Sequence, residues 1–216
     1  MKDEFKKVDI MKYNELLIGS NNKKKLNELK SLIDGLNLKH IEIKSPKDYN
    51  LDSLEIEENG SDFFENSLIK AKTFFDLTNI PTLSDDSGLI VECLGGEPGL
   101  RSARYAGENA TDDENIDFLL NKIKNLEFTP NVFKAKYVTT ICFYDGKHVH
   151  YFEGFIEGRL INEKRGFSGF GYDPIFIPNG YNQTFAEMGN EIKQNISHRK
   201  IALDKFIDFL ISNYKK

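Results

Sequence analysis

The sequence predicts an α/β fold, a mixed β-sheet with helices on its faces, and three observations point to it. Strand and helix patterns alternate through the first half of the chain, β-rich segments alternate from Lys134 to Ile156, and an amphipathic helix closes the chain from near Ser197. Alternation alone would suit a doubly wound parallel sheet. The later segments flank Asp145-Gly146, the signature of an antiparallel hairpin, so the sheet is mixed and the hairpin region is a candidate second lobe.

In chain order, Leu16-Leu17-Ile18 reads as a short buried strand. It runs through Gly19-Ser20-Asn21-Asn22 into a helix with apolar positions at Leu26, Leu29, Leu32 and Ile33. Lys39 to Ile43 is a second short strand, and an irregular acidic segment follows to Gly60. Asp62 and Glu65 have capping-box spacing before a helix whose stripe is Phe64, Leu68, Ala71 and Phe75, with Lys70 just off it. Pro81 precedes Thr82-Leu83-Ser84, a strand ending in Asp85-Asp86, and Leu89-Ile90-Val91 continues beyond Ser87-Gly88. A Thr111/Glu114 capping box opens a helix to Leu126 with an Ile116, Leu119, Leu120, Ile123 face. After the hairpin, Gly166 to Asp173 is a glycine and aromatic loop leading to Pro174-Ile175-Phe176-Ile177, and the last helix buries Ala202, Phe206, Phe209 and Leu210. Residues 1–14 are a polar, Lys-rich stretch expected to be a flexible extension, and 15–216 form a single two-lobed domain.

Composition narrows the function. A net charge of −5 argues against a nucleic-acid backbone binder, which needs a basic excess. Cys93 and Cys142 lack CxxC spacing and suit a reduced, cytoplasmic setting without a zinc site or disulfide framework. No run approaches the ~18 apolar residues of a membrane span, and the start lacks a signal-peptide core. With 17 Phe and 9 Tyr, most rings are core material and a ring needs a specific setting to be read as a binding group.

Four segments carry chemistry. Ser20, Asn21, Asn22, Lys23, Lys24 and Lys25 place hydroxyl, amide, helix N-terminal and ammonium donors at one corner, which suits a polyphosphate and equally suits a capped helix with solvated lysines. It lacks the glycines of a Walker A loop. Asp85-Asp86-Ser87-Gly88 reads as a turn with Asx hydrogen bonds, the commoner reading of such a tetrad taken alone, or as a Mg²⁺ site, a reading its apolar flanks raise because acids beside a buried strand are costly without a metal or cation. Glu55, Glu57 or Glu58 can supply a further ligand, and Lys70 can meet a phosphate, orient a carboxylate or snorkel to the surface. Ser168 to Pro174 offers glycines for close approach, rings for stacking in Phe170 and Tyr172, and Asp173 to accept from a base N–H, or else it is a tight turn stapled by aromatic packing. Lys193 with Ser197-His198-Arg199 brings cationic donors to a helix start.

Taken in order, Ser20-x-Asn22-x-x-Lys25-x-x-Glu28, Glu65-Asn66 with Lys70, Ser84-Asp85-Asp86-Ser87-Gly88-Leu89, Leu94-Gly95-Gly96-x-Pro98-Gly99 with Ser102-Ala103-Arg104-Tyr105, Gly169-Phe170-Gly171-Tyr172-Asp173-Pro174 and Ser197-His198-Arg199 resemble the inosine/xanthosine triphosphate pyrophosphatase family, the non-canonical purine NTP pyrophosphatases. The likeness spans about Leu16 to Leu210. It implies two lobes around a long curved mixed sheet flanked by helices, a homodimer, and a purine nucleoside triphosphate in the cleft between lobes. It also implies hydrolysis of ITP, dITP and XTP to monophosphate and pyrophosphate with Mg²⁺, or Mn²⁺ in its place, which cleanses the nucleotide pool. In the roles so implied, Ser20 to Lys25 and Lys70 hold the triphosphate, Glu58 and Asp86 bind the metal, and Asp86 activates water with Asp85 in support. Ser87 touches substrate, and Phe170, Gly171, Tyr172, Asp173, Lys193, His198 and Arg199 form the base pocket. Lys24 stands where many relatives carry glycine, a departure in the loop backbone. The readings set against this one are a Maf-like pyrophosphatase with other base preferences, a non-catalytic nucleotide sensor and a nucleic-acid module, the last disfavoured by net acidity.

Overall fold

A computed structural model describes residues 14–34, 41–126 and 132–214, so the expectation for the leader lies outside the described residues apart from Asn14. Among the described residues six strands form one sheet in the order β2-β1-β3-β4-β5-β6. These are β1 (Glu15–Ile18), β2 (Glu42–Lys44), β3 (Thr82–Val91), β4 (Phe133–Tyr144), β5 (Val149–Leu160) and β6 (Phe176–Pro178). β1 pairs in parallel with β2 and β3, whereas β6 runs antiparallel to β5 with Arg159 opposite Ile177, so the sheet is mixed as predicted. The helices are α1 (Lys23–Asp34), α2 (Phe63–Thr78), α3 (Asp112–Lys124), α4 (Phe185–Ile196) and α5 (His198–Tyr214).

The described residues divide into two compact units, those within 1–85, 140–152 and 202–216 and those within 86–139 and 153–201. The first is built on a core of Leu16, Ile18, Leu29, Leu83, Phe143 and Phe206. α1 starts where Asn22 Oδ1 accepts from the backbone N–H groups of Lys24 (3.0 Å) and Lys25 (3.2 Å), which satisfies two donors that the first helical turn leaves unpaired. Asp62 caps α2 by accepting from Glu65 N at 2.8 Å, and Glu65 turns back to Ser61 N at 2.7 Å. The second unit packs Leu89, Ile116, Leu119, Tyr137, Phe176 and Phe185. Its α3 carries the predicted Thr111/Glu114 capping box, with both reciprocal bonds present.

Two elements differ from expectation. Thr82 to Val91 is one ten-residue strand, not a strand broken at Asp85-Asp86, so the acidic tetrad is not a turn. Apolar residues on both sides hold the tetrad in the sheet. Gly88 lets the strand pass the Gly99 carbonyl, which a Cβ would strike. α4 was not predicted. Its cue is a third capping box, Thr184 with Glu187, and its apolar period is interrupted at Gly189, whose φ of 77° breaks the helix.

Candidate active site

In the first unit the polar corner after β1 is pinned from within. Ser20 is buried, and Ser84 Oγ donates to Gly19 O at 2.9 Å, fixing the loop to β3. The Asn21 amide donates to the carbonyls of Leu54 (2.7 Å) and Leu51 (3.0 Å), so this side chain ties the loop to the start of the acidic segment. Lys23 and Lys24 are exposed, whereas Lys25 turns inward and its Nζ lies 3.4 Å from Asp85 Oδ2. Of the three candidate glutamates, Glu55 and Glu57 are exposed, and Glu58 is the one that Lys70 grips, Nζ to Oε2 at 2.7 Å. Lys70 is therefore a buried lysine that orients a carboxylate, not one that snorkels.

In the second unit Asp86 is 6% exposed. Its backbone carbonyl accepts from Thr139 Oγ1 at 3.1 Å and its own Oδ1 accepts from Ser87 N at 3.0 Å. Arg199, at the start of α5, donates from Nη2 to Ser87 Oγ at 2.7 Å. A guanidinium thus stands beside the hydroxyl that follows the acid, a suitable arrangement for a phosphate oxygen.

The glycine and aromatic loop is organised around Asp173. Its Oδ2 accepts from Lys193 Nζ at 2.6 Å and from Phe170 N at 2.9 Å, and its Oδ1 accepts from Tyr137 Oη at 3.3 Å. Gly169, at φ 80°, lies so close to this carboxylate that a side chain there would collide with it. Asp173 is thus an anchor of the loop. Lys193 Nζ lies 4.4 Å and Arg199 Cζ 5.3 Å from the Phe170 ring centroid, two cations gathered on one aromatic ring. Gly171 takes φ 60° to complete the turn. Tyr172 is buried and donates to Ser102 O at 2.9 Å, and burial raises its hydroxyl pKa well above the ordinary tyrosine range. Its ring belongs to the core of the unit. His198 is buried and stacks on Tyr137, with centroids 4.9 Å apart and planes within 6°.

Sequence reasoning missed Tyr137 and Thr139. Both sit on β4 two residues apart, on one face of the strand, and that spacing was the available signal. The profile of the Ham1 family matches residues 16–209, nearly all of the chain. The chain belongs to the Ham1 family. Among its relatives, a dITP/XTP pyrophosphatase of Porphyromonas gingivalis is 40% identical over 201 residues, covering 91% of this chain and 97% of that one. A dITP/XTP pyrophosphatase of Leptospira interrogans is 41% identical over 198 residues, 91% of this chain and 96% of that one. The solved Ham1 protein of Coxiella burnetii superposes with a TM-score of 0.81 at 35% identity, covering 92% and 98% of the two chains. Ham1 relatives thus share the α/β architecture found here along nearly their full length.

Proposed function

We propose that this Ham1 protein hydrolyses non-canonical purine nucleoside triphosphates, ITP, dITP and XTP, to the monophosphate and pyrophosphate, and so cleanses the nucleotide pool. The observation that carries the reading is the placement of Asp86. It is a nearly buried carboxylate in mid-strand, its backbone fixed by Thr139, followed by a serine that Arg199 holds. The dITP/XTP pyrophosphatases among its relatives lend further support.

In this reading the Asp86 carboxylate takes the proton of the water that attacks the α-phosphorus. Ser20 to Lys25 and Lys70 neutralise and orient the triphosphate, and Asp85 sets the position of Lys25. Among the described residues no three His, Cys, Asp or Glu side chains gather into a metal-binding group. Mg²⁺ needs none, since it is held by one or two carboxylates with phosphate oxygens and water, and Glu58 and Asp86 are oxygen donors of that kind. Mn²⁺ accepts the same donors. When bound, the ion would polarise the phosphate oxygens and stabilise the departing pyrophosphate.

Base choice rests on donors. Hypoxanthine and xanthine present a 6-oxo acceptor where adenine presents an amino donor, so Lys193 and Arg199 favour the former. The ammonium of Lys193 has three N–H donors, of which one is directed at Asp173. We also propose a homodimer in the cytoplasm. An open groove of about 850 Å³ on the second unit, lined by Val132, Lys134, Lys136, Glu157 and Arg159, offers charges of both signs to a second copy, and the thiols of Cys93 and Cys142 are unbridged. No helix among the described residues is long and apolar enough to cross a membrane.

The test is pyrophosphate release from ITP, XTP, GTP and ATP with and without Mg²⁺, on wild type and Asp86→Asn. ITP and XTP should turn over only with the ion, and D86N should lose on the order of 10²- to 10⁴-fold in kcat while keeping its fold. Near-normal turnover by D86N would sink the assignment.

A further inference from the structure

Two of the residues that the resemblance assigns to the base pocket, Asp173 and His198, meet at a side chain outside that set, and Asp173 in turn receives Lys193 and Phe170. Tyr137 lies on β4, nearly buried. Its ring meets Phe176 edge-on at 4.8 Å and tilts against Phe185 at 6.1 Å. It also stacks on the imidazole of His198. These contacts come from β6, α4 and the start of α5, so the ring has little freedom to rotate.

The hydroxyl at the end of that ring reaches Asp173 Oδ1, while Asp173 Oδ2 receives Lys193 Nζ and Phe170 N. A carboxylate and an ammonium buried together, with side chains 1% and 5% exposed, need further donors and acceptors to offset their lost hydration. Tyr137 supplies one such donor. Burial, and then the negative charge of Asp173, raise its pKa well above the ordinary tyrosine value, so it keeps its proton and remains a donor at any physiological pH.

We infer that Tyr137 is a positioning residue for base selection: its ring sets the plane of His198, and its hydroxyl fixes Asp173 and through it Lys193 and Phe170. The inference rests on the proposed purine triphosphatase activity. It goes beyond that reading by placing part of the discrimination between 6-oxo and 6-amino purines on a residue that does not face the base. A hydrogen bond lost at this point loosens where Lys193 aims without touching Asp86 or the lysines assigned to the triphosphate. Selectivity therefore falls while the chemical step is kept.

The experiment compares wild type with Tyr137→Phe and Tyr137→Leu, measuring kcat and KM for ITP and ATP with Mg²⁺. Y137F keeps the ring and its stack on His198 and loses only the hydroxyl. It should raise KM for ITP about three- to tenfold, the scale of one hydrogen bond, with kcat within about twofold of wild type. The ITP to ATP ratio of kcat/KM should fall by a similar factor. Y137L removes the stack as well and should lower the ratio further, and the result for Y137F stands even where Y137L does not fold. An unchanged KM and ratio in Y137F, or an equal loss on ITP and ATP carried in kcat, would overturn the inference and leave the proposed function intact. A wild type that cleaves no purine triphosphate would overturn both.

Discussion

The candidate-site ion pairs of the first unit and of the second are of opposite character. In the first, Lys70 with Glu58 and Lys25 with Asp85 join side chains 9% and 29%, and 15% and 0%, exposed, so each pair keeps one member in reach of solvent. In the second, Lys193 and Asp173 are both sealed, and Tyr137 and Phe170 N complete the cluster. A half-open pair can exchange its partner for a phosphate or a cation at modest cost. A sealed pair cannot, because either member left alone would be an unsolvated charge. The contrast matches the proposed division of labour: polyphosphate and metal call for groups that change partners, whereas base selection calls for groups that hold still.

The largest effect expected from this contrast is on stability. Lys193→Met should destabilise the protein by about 3–5 kcal/mol, whereas Glu58→Gln should change it by about 1 kcal/mol or less, as read from denaturant midpoints. Equal losses would erase the distinction between the two kinds of pair.

A second, intermediate effect is set by pH. His150, in the first unit, is wedged against Phe209 and Phe143 with ring centroids 4.5 and 6.5 Å away. Burial first, then the neighbouring His148, holds its pKa below the ordinary histidine value, while Asp145 pulls the other way. The unfolded chain then binds the proton more readily, at about pH 6.5. The contribution of His150 is complete above that value and is lost as the pH falls from there toward the lowered native value. Thermal unfolding between about pH 5 and 7.5 should show this slope in wild type and a shallower one in His150→Gln. The Tyr137 and Tyr172 hydroxyls of the second unit are shifted upward and contribute nothing in that range.

The smallest effect concerns thiols. Burial pushes Cys142, in the first unit, up to about 12, and raises the half-buried Cys93 of the second unit less far. An aromatic disulfide reagent at pH 8 should modify Cys93 slowly and Cys142 only after unfolding. Rapid reaction of Cys142 in the native protein would mean that the first unit opens more readily than its packing implies.

Legibility from sequence followed local physics. The mixed sheet and the helices opened by Asp62 and Thr111 were readable because period and cap agreed over consecutive residues. α4 was hidden because Gly189 splits its apolar repeat, leaving the Thr184 cap as its main signal. At the site, residue types located the corner at Ser20 to Lys25, the acids and the loop at Phe170 to Asp173. They did not reveal that Glu58 rather than Glu55 or Glu57 faces Lys70, or that Asp173 gives its oxygens to the protein, because both depend on partners distant in the chain. Tyr137 was lost among many aromatics for the same reason, since its role lies in what stacks on it.

The unbroken passage of β3 through Asp85-Asp86-Ser87-Gly88 bears on how this segment can vary. In a strand each successive side chain changes face, so Asp85 meets Lys25 on one side and Asp86 belongs to the other by counting alone. Substitution at a neighbouring position alters one contact. Gaining or losing a single residue would exchange the faces of everything beyond it, carrying Ser87 away from Arg199 and Gly88 away from its passage beside Gly99. The stretch therefore works as a ruler as well as a row of contacts: each letter serves its own partner, and the length decides which face every letter takes, so a one-residue insertion here disturbs several contacts at once where a substitution disturbs one.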